Sequence, residues 1–248
     1  MKFPAALVSA LRDAQSVVVL TGAGISAESG IPTFRDALTG LWAKFDPADL
    51  ATPEAFARDP ATVTRWYDER RQKCADAKPN AGHLALAQLQ RKLLEHGRRF
   101  TLITQNVDRL HQGAGSRDVI ELHGTLWVWR CTSCGEERED RAPFREFPPK
   151  CKCGGTRRPG VVWFGEELPV QAMALAEAAA EECDLFFSIG TSAVVYPAAG
   201  LAHEARRRGA KLAEINAQAT DLTPLVDWSI LARAGDVLPE LVRQAFDV

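Results

Sequence analysis

Short apolar runs separated by alanine-rich stretches constrain this chain more than any other feature. Residues 16–20, 100–104, 185–189 and 211–215 are each long enough for a strand and do not alternate apolar with polar, and residues 228–231 repeat the pattern weakly. A strand without alternation is buried on both faces, and the helical stretches at 170–182 and 198–208 would cover them. The pattern predicts an α/β fold with a parallel sheet. Two segments break the rhythm. Residues 37–81 read as loop and short helices punctuated by Pro47 and Pro53, with one longer helix at 62–74, and residues 125–166 are rich in cysteine, charge and proline. Both are expected to be insertions that together form a smaller domain.

The cysteines sharpen the second insertion. Cys131 and Cys134 form a Cys-x-x-Cys knuckle, and Cys151 and Cys153 a tighter Cys-x-Cys one followed by Gly154 and Gly155. Two knuckles in one short segment bring four thiolates to one ion, which predicts a structural tetrahedral Zn2+ with no open position for water. Cys74 and Cys183 stand apart, Cys183 as a core thiol and Cys74 on a helix without a chemical role. Residues 136–140 are acidic, and Arg157 and Arg158 are too few for a phosphate track, so the ribbon is not expected to bind nucleic acid.

Charge supports that exclusion. The 248 residues carry 30 Lys+Arg against 32 Asp+Glu, a net charge of −2, which gives no general attraction to nucleic acid or an anionic membrane. The densest apolar run, residues 17–20, is far too short to cross a bilayer, and Arg12 and Asp13 interrupt the N-terminal apolar stretch. A cytoplasmic protein without a signal peptide or a membrane partner is expected.

Directly after the first strand comes Gly22-Ala23-Gly24-Ile25-Ser26-Ala27, a Gly-x-Gly-x-x-Ala turn leading toward a helix. The first glycine permits a tight turn, the second lets backbone approach a pyrophosphate, and the small last position allows close packing. By itself this is equally a mere tight turn. Asp46 lies near the distance of a ribose-binding carboxylate but in a loop, and is not assigned that role. The continuation through Pro32, Phe34 and Arg35 can form a lid over a cofactor, although Arg35 and Asp36 equally suit an ion pair.

Thr104-Gln105-Asn106-Val107-Asp108 follows the second strand, where ligands bind in open α/β sheets. Helix capping is the alternative for Asn106 and Asp108. Among five histidines, His123 ends a strand expected at 119–122 and precedes Gly124, which suits proton transfer near neutrality. The other four read as helix-surface or packing residues. No Gly-x-Ser-x-Gly elbow supplies a nucleophile.

These motifs, with Ser29-Gly30-Ile31-Pro32-Thr33-Phe34-Arg35, Phe164-Gly165-Glu166, Gly190-Thr191-Ser192 and Glu214-Ile215-Asn216, resemble the sirtuins, NAD-dependent protein lysine deacylases, over nearly the whole chain. The resemblance implies a Rossmann-like NAD-binding domain of residues 1–36, 82–124 and 167–248, and a small domain of 37–81 and 125–166 combining the helical insertion with the zinc ribbon. It implies that Gly22, Ala23, Gly24, Arg35 and Ser192 contact the phosphates or their surroundings, that Gly190, Thr191, Asn216 and Val237 hold the adenosine half, that Ile31 and the catalytic Asn106 and Asp108 line the nicotinamide pocket, with Phe34 as a shield, and that Ser26 and Gln105 also belong to the cofactor site. Val161, Val162, Phe164, Gly165 and Glu166 would pair with the substrate backbone as an added strand. His123 would act as base through the ribose hydroxyls, giving free lysine, nicotinamide and 2′-O-acyl-ADP-ribose. The implied partners are acylated-lysine proteins or peptides met by a monomer.

Tyr67 and Arg70 are three apart on the helix expected at 62–74 and so share a face. A phenol and a guanidinium suit a distal carboxylate, while a solvated charge face of Arg70 and Arg71 is the alternative. Tyr-x-x-Arg with Ala51 ahead of it resembles the bacterial and mitochondrial class III sirtuins, which remove succinyl and malonyl groups as well as acetyl. A mono-ADP-ribosyltransferase, a deacetylase without preference for charged acyl groups, and a module that only senses NAD or ADP-ribose remain the competing functions.

Overall fold

The computed structural model describes residues 2–33 and 46–246. Phe34 and Arg35 lie outside the described residues. In chain order the elements are α1 (Ala5–Asp13), β1 (Ser16–Thr21), a 3₁₀ turn (Ala23–Ser29), α2 (Pro47–Leu50), α3 (Pro53–Arg58), α4 (Pro60–Asp76), α5 (Ala81–Glu95), β2 (Arg99–Thr104), α6 (Leu110–Gly113), β3 (Ile120–Glu121) and β4 (Gly124–Cys131). There follow β5 (Glu137–Glu139), β6 (Arg157–Val161), α7 (Val170–Glu182), β7 (Leu185–Ile189), α8 (Gly200–Arg207), β8 (Lys211–Asn216), β9 (Trp228–Leu231) and α9 (Ala234–Phe246).

The larger sheet has six strands in the order β3-β2-β1-β7-β8-β9, every pairing parallel. The first three strands wind to one side and the last three to the other, so the order reverses between β1 and β7, the doubly wound arrangement of a Rossmann-type sheet. Both faces are covered. Val17 and Val19 pack with Leu7, Leu11, Leu86 and Leu241, whereas Val18 and Leu20 pack with Ala176, Ala180, Leu201 and Ala205. Successive residues of β1 thus enter different cores, which is why its sequence does not alternate.

A third core joins the two interruptions of the α/β rhythm. Leu50, Ala55, Val63 and Trp66 of the helical segment pack with Leu126, Trp127, Trp129 and Trp163 around the antiparallel sheet β5-β4-β6. The three helices α2, α3 and α4 each start with proline after a capping side chain: Asp46, Thr52 and Asp59 accept from the amides of Ala48, Ala55 and Thr62 at 2.8, 3.1 and 3.0 Å. Proline at the first helical position gives up an amide that has no partner there anyway. Asp46 is therefore a helix cap.

Two local expectations change. The glycine-rich turn leads into a 3₁₀ turn instead of an α-helix, ended by Gly30 at φ +81°. Gly24, Ser26 and Ser29 are poor helix formers, and a left-handed glycine closes the turn. The strand expected at 119–122 narrows to β3, although the amide of Leu122 still donates to Thr104 O at 2.9 Å. Among the described residues, no helix is long and apolar enough to cross a membrane.

Candidate active site

The turns that follow β1 and β7 interlock. The Gly22 amide donates to Ile189 O at 3.0 Å and the Gly24 amide to Gly190 O at 2.7 Å. A Cβ on Gly24 would lie 2.7 Å from Gly190 Cα, and one on Gly190, held at φ +61°, would lie 2.4 Å from the Ile25 nitrogen. Only glycine lets the two turns approach this closely. Over this floor lies a cavity of about 810 Å³, at the carboxyl ends of the strands where their order reverses. Its size and its side-chain-free backbone cradle fit a dinucleotide.

Along one side, Gln105 Nε2 donates to Thr191 Oγ1 at 3.0 Å, and Asn216 Nδ2 to Thr191 O at 3.3 Å and Gln218 O at 3.0 Å. Ala23 and Ser192 also line the cavity. Glu214, buried on β8, accepts from Thr223 Oγ1 at 2.5 Å and from Ser229 Oγ at 3.3 Å, and also bonds Thr220, so it shapes the loop 217–221 at the cavity edge. Val237 requires a correction. Its side chain is fully buried in the main core on the inner face of α9, and Ala232, Arg233 and Ala234 line the cavity in its stead.

His123 lines the cavity and directs Nδ1 at Gln105 O, 3.0 Å away. A carbonyl only accepts, so Nδ1 carries the hydrogen and Nε2 keeps a lone pair. Burial lowers the pKa of the imidazole from its ordinary value, and the bond to Gln105 O opposes this.

Asn106 and Asp108 stand beside the glycine turn. Asn106 Nδ2 donates to Gly22 O and to Ser26 Oγ, both at 3.1 Å, and Ser26 Oγ donates to Asp108 Oδ2 at 2.8 Å. Asp108 Oδ1 accepts from the Leu110 amide at 2.9 Å, so this carboxylate caps α6 and serves the cluster at once. Burial raises its pKa, while the bonds from Leu110 and Ser26 lower it. Ser26, Ile31 and Asp108 line a separate small pocket of about 20 Å³, shared with Asn106, Arg70 and Cys74. Cys74, expected to have no chemical setting, thus sits beside the site.

Two histidines read as surface or packing residues lie under this cluster. His83 Nδ1 accepts from the Asn80 amide at 3.3 Å, leaving Nε2–H toward Ser26 Oγ at 3.4 Å, and His111 Nε2 bonds Thr21 Oγ1 at 2.9 Å. Burial pushes them down to about 4 and about 3. The one sequence signal for His83 is its place three residues after the helix cap Asn80.

Across the cavity, Ala51, Tyr67, Arg70, Val161 and Val162 form the wall contributed by the third core. Tyr67 and Arg70 share the inner face of α4, with the Arg70 guanidinium 4.6 Å from the Trp66 ring and 5.6 Å from the Tyr67 ring. Arg71, their neighbour, is fully buried against Asp68, Ala142 O and the Phe144 ring, so the two arginines are not one solvated face. Phe164, Gly165 and Glu166 also line the cavity, but much of their polarity is already engaged. The amides of Val162, Phe164 and Glu166 donate to His123 O, Ala51 O and Trp163 O at 2.9, 2.9 and 3.0 Å, and the Glu166 carboxylate accepts from the two terminal Arg158 nitrogens, Nη1 and Nη2, at 2.5 and 2.8 Å. An added strand here must use other backbone groups, such as the carbonyls and Gly165 N.

The model of the Sir2 family matches residues 22–197, which contain both glycine turns, His123 and the four clustered cysteines. The chain belongs to the Sir2 family. It is 53% identical over 228 residues to an NAD-dependent protein deacylase of Aquifex aeolicus, covering 91% of this chain and 93% of the relative. It is 50% identical over 250 residues to NAD-dependent protein deacylase 1 of Pseudomonas aeruginosa, covering 97% and 98%. The solved Sir2 homologue–NAD complex superposes with a TM-score of 0.91 at 48% identity, over 98% of this chain and 94% of that one.

In this Sir2-family chain the sulfurs of Cys131, Cys134, Cys151 and Cys153 lie within 4.8 Å of one another, with Cys131–Cys153 at 3.5 Å and Cys134–Cys151 at 3.8 Å. Thiolates bound tetrahedrally to zinc at about 2.3 Å stand about 3.8 Å apart, so the four residues fit that ion. The Cys134 and Ser133 amides donate to Cys131 Sγ at 3.5 and 3.4 Å and bring its thiol down to about 6. The narrower knuckle works the same way, the Gly155 amide donating to Cys153 Sγ at 3.4 Å. Four protein sulfurs leave no coordination position for chemistry, so a zinc ion held there would be structural. Arg157 is buried against Cys151 Sγ and Glu136, and Arg158 against Glu166, so neither side chain is presented on the surface.

Proposed function

We propose that this sirtuin, an NAD-dependent protein deacylase, removes the acidic acyl groups succinyl and malonyl from lysine as well as acetyl. The observation that carries the acyl preference is the placement of Tyr67 and Arg70 on the cavity wall beside Ala51. A donor and a cation there suit a carboxylate at the far end of an acyl chain, and the small alanine leaves room for the chain to reach them.

NAD, when bound, supplies an electrophilic anomeric carbon with nicotinamide as its leaving group. Gly22 and Gly24 provide a backbone cradle for its phosphates, with Ala23 and Ser192 around them, and Gly190, Thr191 and Asn216 take the adenosine half; the family resemblance alone assigns Arg35 to the phosphates. Asn106 and Asp108, fixed through Ser26, Gly22 O and the Leu110 amide, orient the nicotinamide side against Ile31. The family resemblance alone assigns Phe34 the shielding of the reacting face, where entry of water would divert the reaction. His123 takes a proton at Nε2 from the ribose hydroxyls. Backbone groups of residues 161–166 hold the peptide, read more by shape than by sequence.

The same reading assigns NAD binding to residues 1–36, 82–124 and 167–248 and peptide and acyl contacts to 37–81 and 125–166. The protein is proposed to act as a cytoplasmic monomer, its clustered thiols suiting a reducing compartment. Acetyl, malonyl and succinyl forms of one peptide, compared by mass spectrometry with and without NAD, test the proposal. Release of one nicotinamide per lysine uncovered, with succinyl or malonyl removed at least as efficiently as acetyl, supports it; acetyl removal alone sinks the acyl preference.

A further inference from the structure

Trp163 stands between the turn that meets the peptide and the wall that meets the acyl group. Its backbone amide donates to Glu166 Oε2 at 2.9 Å, and the Arg158 guanidinium, itself paired with Glu166, lies 3.5 Å from the centre of its ring. Phe56 packs on the same ring system with centroids 5.3 Å apart. Backbone and ring are therefore held from several sides, and Trp163 is only 3% exposed. From this fixed position Nε1 donates to Tyr67 Oη at 3.1 Å.

An indole N–H can only donate, so the phenol oxygen must accept in this bond. A phenol hydrogen prefers the plane of its ring, where it has two directions, and it must avoid the direction from which the tryptophan N–H arrives. The hydrogen therefore points away from the indole; it meets no acceptor among the described residues, and Tyr67 borders the cavity. Arg70 beside it offers only donors. Burial holds the Tyr67 phenol up at about 12, so the hydrogen stays in place at working pH.

We propose that Trp163 is a positioning residue for acyl selectivity, its indole N–H setting the Tyr67 hydroxyl as a hydrogen-bond donor toward the carboxylate of an acidic acyl group. The proposal rests on the acidic-acyl reading above and adds a residue that does not itself touch the carboxylate. Because the backbone amide of the same residue is bonded to Glu166 and its indole to Tyr67, the peptide-binding turn and the acyl wall are held in one register.

The test is the ratio of kcat/KM for succinyl and acetyl forms of one peptide at saturating NAD, in Trp163→Phe, Tyr67→Phe, the double variant and Arg70→Met. Losing one preset hydrogen bond should lower the ratio about three- to tenfold in Trp163→Phe. In the Tyr67→Phe background the second substitution should change it less than about twofold, because the group through which it acts is gone. Should Trp163→Phe not fold, benzothienylalanine at position 163 keeps the bicyclic shape and removes only the N–H, with the same ratio expected. A wild-type ratio in either replacement, or effects that multiply in the double variant, overturns the role of Trp163 while a lowered ratio in Arg70→Met keeps the acidic-acyl reading. A ratio unmoved by Arg70→Met removes that reading and this inference together.

Discussion

His123 and Gln105 are joined through Nδ1 and a backbone carbonyl at 3.0 Å, and that bond decides which nitrogen can accept a proton. Burial lowers the imidazole pKa below its ordinary value, so the neutral base persists into mildly acidic solution and is lost only as pH falls through the lowered value. The acid limb of kcat/KM should therefore have its midpoint below about 6.5. His123→Ala should lower turnover by about 10²–10⁴-fold, the range for positioned acid–base catalysis, with NAD affinity within a few-fold. A steady-state pH profile and calorimetric NAD titration check both; full activity in the variant would remove His123 from the reaction.

Arg70→Met keeps much of the side-chain volume and removes the cation. If the guanidinium meets a succinyl carboxylate, truncating one partner of a desolvated charge pair costs about 2–5 kcal/mol, which is roughly 30- to 4,000-fold in kcat/KM for succinyl-lysine. Acetyl-lysine has no distal charge, so the succinyl-to-acetyl ratio should fall by nearly that whole factor. A constant ratio in paired assays on one peptide would leave Arg70 without a part in acyl choice.

The buried pair His83 and His111, with ring centroids 4.8 Å apart, makes the fold acid-sensitive. Folded values of about 4 and about 3 lie below the unfolded value of about 6.5. The unfolded chain therefore binds more protons once pH drops below about 6.5, and each histidine then withdraws about 1.4 kcal/mol of stability per pH unit until its folded pKa is reached. Urea unfolding midpoints between pH 7 and 4.5 should fall steadily. His83→Gln should flatten the slope, and an unchanged slope would show that His83 does not titrate on unfolding in this range.

Removal of zinc should unfold the ribbon, since binding energy at a site closed by four sulfurs is folding energy. Cys131→Ser or Cys153→Ser should give protein with substoichiometric zinc and a lowered thermal midpoint. Metal content by atomic absorption and near-ultraviolet circular dichroism report on this, with Trp127 and Trp129 in β4 as the chromophores nearest in sequence to Cys131. Native dichroism in metal-free protein would mean that the sheet stands without the ion.

Local patterns carried much of this molecule because backbone geometry imposes them. A strand covered on both sides must be apolar throughout, so β1 and β7 were visible, and a thiolate pair two residues apart must turn toward one ion, so the cysteine knot was visible. Three-residue spacing on a helix put Tyr67 and Arg70 together before any contact was known. The glycine pattern after β1 resembles a helix start, and nothing nearby in sequence shows the neighbour that makes it a 3₁₀ turn. Gly24 and Gly190 lie in turns that follow different strands, and only the parallel pairing of β1 with β7 brings their backbones close enough to exclude a side chain.

Side-chain roles that depend on such distant partners have no periodic signature. Arg70 and Arg71 are adjacent and chemically alike, yet one borders the cavity and the other is buried against Asp68 and Ala142 O, because successive helix positions point about 100° apart and only packing decides which direction is inside. The tautomer of His123 follows from the carbonyl of Gln105 on another segment of chain, whereas that of His83 follows from the Asn80 amide of its own helix cap. The sequence by itself determined the parallel α/β class, the four-thiolate cluster and the candidates for the site, through rules that act over a few residues. Which oxygen accepts from Trp163, which arginine faces the cavity and which histidine nitrogen is left open were decided by tertiary contacts, since a hydrogen bond requires its donor and acceptor within about 3 Å, and only the folded chain brings residues distant in sequence to that separation.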